Sequence, residues 1–189
     1  MLKCRCLPTS IFFTKLLIHS LHLLKLNSSI IKSVTMKFAI FTTLTALLGS
    51  AAAANQAIVI NDCSTDIYVQ SYPYNGGAPG PLTTVKPGKR FSENLRSTGS
   101  TVKIAKTRTL TNPLFFGYSS TSKPDYVYYE FSTEWGNPFA KERNILSPGA
   151  GCEKFDCAPN AASCYSTPSM KKVYGCPSPV NVYARVCAK

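Results

Sequence analysis

An all-β fold, an antiparallel sandwich or barrel, is what this sequence predicts, and three observations carry it. Short runs rich in branched and aromatic residues recur between Gly, Pro and Asn turns. No stretch after Ala54 repeats its apolar residues at a helical period. The longest run, Asp125–Thr133, separates two faces at a period of two.

The elements follow in order. Gln56–Asn61 (QAIVIN) and Asp66–Tyr72 (DIYVQSY) read as strands, with Asn61-Asp62-Cys63-Ser64 as the turn between them. Tyr74–Pro81 (YNGGAPGP) is a loop by composition, and Lys86-Pro87-Gly88-Lys89 is a second turn. Arg90–Leu95, Thr101–Lys106 and Pro113–Ser119 are further strands. Asp125–Thr133 sets Tyr126, Tyr128, Glu130 and Ser132 against Val127, Tyr129 and Phe131. Asn181–Cys187 (NVYARVC) is the last strand. Ser147–Pro179 differs, because Cys152, Cys157, Cys164 and Cys176 crowd there among Pro, Gly, Ala and Ser. It reads as a short disulfide-rich lobe with little core of its own, and not as a separate domain.

Targeting explains the first part of the chain. Met36-Lys37 is followed by the apolar run Phe38–Leu48 and the small residues Gly49–Ala54, the order of a secretory signal peptide. It begins late, so residues 1–35 are expected to be a misassigned upstream extension. A transit peptide would have a similar composition, since Lys3, Arg5, Lys15, Lys25 and Lys32 stand there without an acidic residue. A membrane span does not fit, because Lys15, His19, His22 and Lys25 break each run before the roughly 20 apolar residues a span needs. The expected division is therefore 1–35 extension, 36–54 signal peptide and 55–189 a single domain. No hydrophobic tail follows Cys187 and no N-glycosylation sequon follows Ala54, so neither a GPI anchor nor N-glycosylation is expected.

What the domain lacks excludes several chemistries. The two histidines, His19 and His22, both precede it. Imidazole-based metal sites, Ser-His-Asp and Cys-His nucleophile systems and histidine pH switches are thereby excluded. No cofactor and no metal is expected. Residues 55–189 carry fifteen basic against nine acidic residues, a net +6, half of the +12 of the whole chain. That balance suits a soluble monomer near an acidic polysaccharide or cell surface and does not call for nucleic acid. The six cysteines in 55–189 form an even set in an oxidising compartment, which reads as three disulfides with fifteen formal connectivities. Zinc fits less well, because Cys152, Cys157 and Cys164 lack the tight ligand pairs of a zinc ribbon.

Several motifs, in order, resemble those of thaumatin-like proteins. Ile58-Val59-Ile60-Asn61-Asp62-Cys63, Ile67-Tyr68-Val69, Gly76-Gly77 and Leu82…Pro87-Gly88 are similar to that family's N-terminal hairpin, glycine loop and following strand. Asp125-Tyr126 through Glu134-Trp135-Gly136-Asn137-Pro138 is similar to its central acidic strand and turn. Gly151-Cys152…Cys157…Cys164 and Cys176-Pro177-Ser178-Pro179…Tyr183…Val186-Cys187 resemble its Cys-rich lobe and C-terminal ending. The chain looks closest to the small fungal branch of antigenic, conidial proteins of the CalA/CetA type, with the yeast-phase-specific secreted proteins more distant. Six cysteines in place of the sixteen of the plant members imply that the helical lobe is mostly trimmed away. The resemblance implies a thaumatin-like antiparallel β-sandwich. It also implies the pairs Cys63–Cys187 and Cys152–Cys176, leaving Cys157–Cys164 as the third.

Some thaumatin-like proteins bind β-1,3-glucan and some hydrolyse it weakly, which needs two carboxylates about 5–9.5 Å apart. Glu93, Glu130 and Glu134 are the candidates here. An extended strand would put Glu130 and Glu134 on one face about 13 Å apart, too far for a pair unless the strand bends near Ser132. Glu93 would have to come across from another strand. The plainer reading is solvated carboxylates and no catalytic residue. Tyr68, Tyr72, Tyr74, Tyr126, Tyr128 and Tyr129 with Trp135 could form an aromatic platform, although in a sandwich about half of such rings are core. The ligand-binding candidates are Tyr126, Tyr128, Glu130, Glu134 and Trp135. The expected role is a secreted, wall-associated or spore-surface protein of antigen or adhesin type. It would bind cell-wall β-glucan or a host cell-surface protein without turnover. The alternative is a weak endo-β-1,3-glucanase or antifungal wall-modifying enzyme.

Overall fold

In the computed structural model, residues 55–149 and 151–189 are described, and they form two facing β-sheets. The expected extension (1–35) and the signal peptide (36–54) with its cleavage site lie outside the described residues. The strands are β1 Gln56–Asn61, β2 Ile67–Pro73, β3 Thr83–Val85, β4 Arg90–Asn94, β5 Ser100–Ala105 and β6 Leu114–Ser122. They continue with β7 Asp125–Ser132, β8 Asn144–Ser147, β9 Phe155–Cys157, β10 Tyr174–Pro177 and β11 Val182–Val186. Five strands make one sheet in the order β4-β1-β11-β8-β9, and six make the other in the order β10-β7-β6-β5-β2-β3.

The period of two decides which side chains face inward. Along β7, Val127, Tyr129 and Phe131 are buried while Tyr126, Tyr128 and Glu130 point away from the core. On β6 the buried Phe116 and Tyr118 are flanked by outward Phe115, Gly117 and Ser119. Val102 and Ile104 of β5 and Ile67 and Val69 of β2 complete the inner face of the six-stranded sheet. Ala57 and Val59 of β1 with Val182, Ala184 and Val186 of β11 supply much of the facing layer. Burying this apolar surface is the main favourable term in holding the two sheets together.

The expected sandwich is present, with two departures in its pairing. β1 pairs with β11 in parallel, an exception to an otherwise antiparallel sandwich. Parallel neighbours need a crossover, and here the whole chain between the two strands supplies it. Nor do β1 and β2 form a hairpin, because they belong to different sheets. Asn61 turns that corner: its buried side chain donates to the carbonyls of Thr65 and Val85, both at 2.8 Å, and accepts from the Cys63 amide. The Cys-rich segment has little core of its own, as expected, and packs into the central one. β9 joins the five-stranded sheet and β10 the six-stranded one. Phe155 packs on Phe131 and Tyr174, and Tyr165 on Phe131, so the segment's rings extend the central core.

Disulfides join Cys63 to Cys187, Cys152 to Cys176 and Cys157 to Cys164. The first ties the ends of the parallel pair β1 and β11 across 124 positions of sequence. Cys187 is held further by Asn144, fully buried, whose Oδ1 accepts from the Cys187 amide. The Asn144 amide group donates to the carbonyls of Phe139 and Glu142 and to the Tyr165 hydroxyl, so every polar atom of this side chain is satisfied.

The C-terminus is clipped by charge. Arg143 grips Asp156 through two hydrogen bonds of 2.8 Å and also donates to the Lys189 carbonyl, while Lys154 stands 3.0 Å from the same carboxylate. The Arg143 hydrogen bonds, aided by Lys154, bring the Asp156 pKa down to about 2 from its ordinary 3.8. A depressed carboxylate stabilises the fold above its unfolded pKa, and that contribution is lost as pH falls through the folded value. Asp156→Asn is therefore expected to unfold at lower urea than the wild type at pH 7, with the two curves merging near pH 2. A gap that persists unchanged in acid would show that the ion pair is not its source.

Candidate functional site

The outer face of the six-stranded sheet gathers the exposed rings. Tyr74 is 53%, Tyr128 39% and Trp135 64% exposed. Glycine makes their arrangement possible. A Cβ at Gly117 would fall 2.9 Å from Glu130 Cγ and 3.1 Å from the Tyr74 hydroxyl, so the bare backbone there lets both side chains lie against the sheet. Gly175 serves Tyr126 in the same way, with ring carbons as close as 2.4 Å to where a Cβ would stand. Tyr126 in turn packs on Tyr128 with centroids 5.3 Å apart.

Tyr74 separates two hollows on this face. The smaller, about 140 Å³, is lined by Tyr74, Gly117, Ser119, Tyr128, Glu130 and Val173. The larger, about 690 Å³, runs between Tyr72, Tyr74, Lys103, Phe115 and Trp135, with Leu110, Asn112 and Pro113 at one side. Its floor is set by register: Lys103 of β5 lies between Gln70 of β2 and Phe115 of β6. The Lys103 ammonium sits 4.0 Å above the Tyr72 ring and 5.6 Å from the Phe115 ring. Gln70 fixes that arrangement, accepting from the Tyr72 hydroxyl at 2.7 Å and donating to the Gly80 carbonyl.

The three candidate acids do not converge. Glu93 stands on β4 in the opposite sheet and turns into the interior. Its carboxylate accepts from Ser71 at 2.7 Å, Tyr118 at 3.0 Å and Arg96 at 3.0 Å, and only 12% of the side chain is exposed. Burial, then the Glu93 charge, pushes the Tyr118 hydroxyl well above the usual phenol range, so it stays a donor. Glu130 lies on the outer face, with the six-stranded sheet between it and Glu93. Glu134 is not on the strand: β7 ends at Ser132, and the chain turns where the Thr133 carbonyl accepts from the Gly136 amide. The expected shared face of Glu130 and Glu134 is therefore corrected, because the strand period stops applying two residues before Glu134. Glu134 pairs instead with Lys171 at 3.1 Å.

Of the expected ligand-binding residues, Tyr128 and Glu130 line the smaller hollow with Tyr126 packed on Tyr128, and Trp135 lines the larger one. Tyr129 is core, and burial raises its hydroxyl to about 12. Lys103 and Phe115 were not anticipated as site residues. The outward phase of each strand is the signal that points to them, since an aromatic at an outward position in LFFGYSS has no core to fill. Among the described residues no group of three or more His, Cys, Asp or Glu is placed to hold a metal ion, and no helix is long and apolar enough to cross a membrane.

Comparisons with known proteins agree with this architecture. Residues 44–188 match the family model described as Bys1, Blastomyces yeast-phase-specific protein. The crystal structure of the protein elicitor MoHrip2 from Magnaporthe oryzae is similar at 64% identity and a TM-score of 0.69, covering 71% of this chain and 100% of that one. A thaumatin-like xylanase inhibitor, TLXI, superposes with a TM-score of 0.52 at 12% identity, covering 70% of this chain and 99% of its own, a likeness of fold alone. No curated protein matches.

Proposed function

The chain belongs to the Blastomyces yeast-phase-specific (Bys1) family, and from that premise we propose a secreted, non-catalytic protein that acts by binding at a cell surface. Its working part in this reading is residues 55–189, released after a signal peptide at 36–54 and acting as a monomer outside the cell, on the wall or at the spore surface. The partner is wall β-glucan or a host cell-surface protein. The antigenic, conidial CalA/CetA type that the sequence resembles fits the same role.

One observation carries the reading: exposed aromatic rings share a glycine-floored sheet face, whereas the acids are dispersed. Aromatic faces stack on the apolar faces of sugars or on a protein partner without needing a deep cleft. Hydrolysis asks for two carboxylates flanking one bond. Glu93 is engaged inside the sandwich, Glu134 is paired with Lys171, and Glu130 is left without a second acid on its hollow. Similarity at 64% identity to a protein elicitor supports a secreted role.

The test is a pull-down of the purified protein on β-1,3-glucan and on intact host cells, beside an assay for released reducing sugar. Retention without release is expected. Glu130→Gln with Glu134→Gln should leave fold and adhesion nearly unchanged. Tyr128→Ala or Trp135→Ala should weaken a carbohydrate contact by roughly 1–3 kcal/mol, the value of a lost aromatic anchor. Sugar release that the double Gln change abolishes without unfolding would establish the endo-β-1,3-glucanase instead.

A further inference from the structure

The larger hollow holds a cation and no acid to answer it, and we propose that it takes an acidic sugar chain, a uronic-acid-bearing oligosaccharide. The inference rests on the surface-binding reading above and narrows its ligand class. Tyr72, Tyr74, Phe115 and Trp135 give the hollow its rings, and among the described residues Lys103 is the single charged one lining it. No described Asp or Glu lines it. Among the described residues Lys103 makes no salt bridge, and its ammonium rests over the Tyr72 ring instead.

The nearby carboxylates are engaged elsewhere or stand on the far side of Tyr74. Glu134, next in sequence to Trp135, is held by Lys171, and Glu142 lies 3.9 Å from Lys106. Glu130 belongs to the smaller hollow.

Two chemical demands thus meet in one place. The rings ask for a pyranose face, since aromatic side chains stack on C–H-rich surfaces. The ammonium asks for an anion, and a charge-assisted hydrogen bond is the strong form of that contact. A phosphate or sulfate ion would answer the lysine and leave the rings bare. A neutral glucan would answer the rings and leave the lysine unpaired. A uronic acid carries both a ring face and a carboxylate in one residue. The net +6 of residues 55–189 favours encounter with such a polyanion, and the Tyr72 ring is already fixed by Gln70.

The test is titration calorimetry of the disulfide-intact protein at low and high salt. The ligands are an oligogalacturonate, its methyl ester and a β-1,3-gluco-oligosaccharide of the same length. The oligogalacturonate is expected to bind about tenfold more tightly than either uncharged chain, an advantage that high salt erodes. Lys103→Met keeps the side-chain stem over Tyr72, should stay folded with at most a small loss of thermal stability from the cation–π contact, and should remove the advantage. Trp135→Ala should weaken all three ligands alike. Equal binding of the acid and its ester, or an advantage untouched by Lys103→Met, overturns the proposal. If neither acidic nor neutral oligosaccharide binds while the protein still adheres to host cells, the acidic-sugar inference is lost and the surface role stands. If adhesion is absent as well, both readings fall.

Discussion

Cys63→Ser, made with Cys187→Ser so that no lone thiol remains, is expected to cost more stability than loss of either other bridge. This disulfide closes a separation of 124 residues, against 24 for Cys152–Cys176 and 7 for Cys157–Cys164. In the chain-entropy model the first removes about 4–5 kcal/mol of unfolded-state freedom and the last about 2–3. Total stabilities of such domains are roughly 5–15 kcal/mol, so the longest loop alone is a large share. Position adds to length. Cys63 follows the corner made by Asn61, and the bridge fastens the only parallel pair among the described strands, whose partners are otherwise remote along the chain. Urea unfolding of the three paired Ser variants ranks them. A Cys157→Ser, Cys164→Ser protein less stable than the Cys63→Ser, Cys187→Ser one would refute the ranking. Non-reducing peptide mapping that joins Cys152 to Cys157 would refute the connectivity itself.

What could be read from the sequence follows from how far local pattern reaches. Asp125–Ser132 is legible because eight residues give the alternation room to declare its phase, and Tyr126, Tyr128 and Glu130 fall outward as that phase requires. Thr83–Val85 and Phe155–Cys157 have three residues each, too few to show any period. Tyr174–Pro177 carries Gly and Pro, which ordinarily argue against a strand, but it lies at a sheet edge where Pro is tolerated. The parallel union of β1 with β11 has no local signature at all. The Asn61-Asp62 turn looks the same whether the next strand pairs with the last or crosses to another sheet. Only the carbonyls of Thr65 and Val85, reached by the Asn61 side chain, distinguish the two.

The site divides in the same way. Trp135 and Glu134 follow the last residue of β7, so extending its period past Ser132 misplaces them. Lys103 and Phe115 were each assignable to an outward position, but that they stand side by side depends on the register of β5 with β6. Tyr72 joins them only through β2 with β5. Register between distant strands is set by the packed core, and a single sequence does not state it. The resemblance added what pattern could not: it implied Cys63–Cys187 and Cys152–Cys176, left Cys157–Cys164 by exclusion, and the structure joins these same cysteines.

Gly99→Ala is expected to destabilise the protein strongly while Gly88→Ala, a change of the same chemistry, does so weakly. Both glycines have a positive φ, +82° and +71°, so alanine at either pays the left-handed penalty of about 1–2 kcal/mol. At Gly88 nothing lies within 4 Å of the new methyl. At Gly99 it would stand 2.6 Å from the Tyr118 carbonyl oxygen and 2.7 Å from a Tyr74 ring carbon. The ring can swing away, but the carbonyl belongs to the backbone of β6 and cannot yield cheaply. Overpacking of this kind adds roughly 1–3 kcal/mol, for a total near 2–5. The ring's displacement has its own consequence, because Tyr74 is the wall between the two hollows and its hydroxyl rests over Gly117. Gly99→Ala should therefore also lose glycan or cell-surface binding in conditions where it remains folded, whereas Gly88→Ala should keep it. Urea midpoints and a binding isotherm on the two variants decide the matter. Equal midpoints would mean that β6 accommodates the methyl. Full binding by folded Gly99→Ala would mean that the position of Tyr74 does not matter to the binding surface.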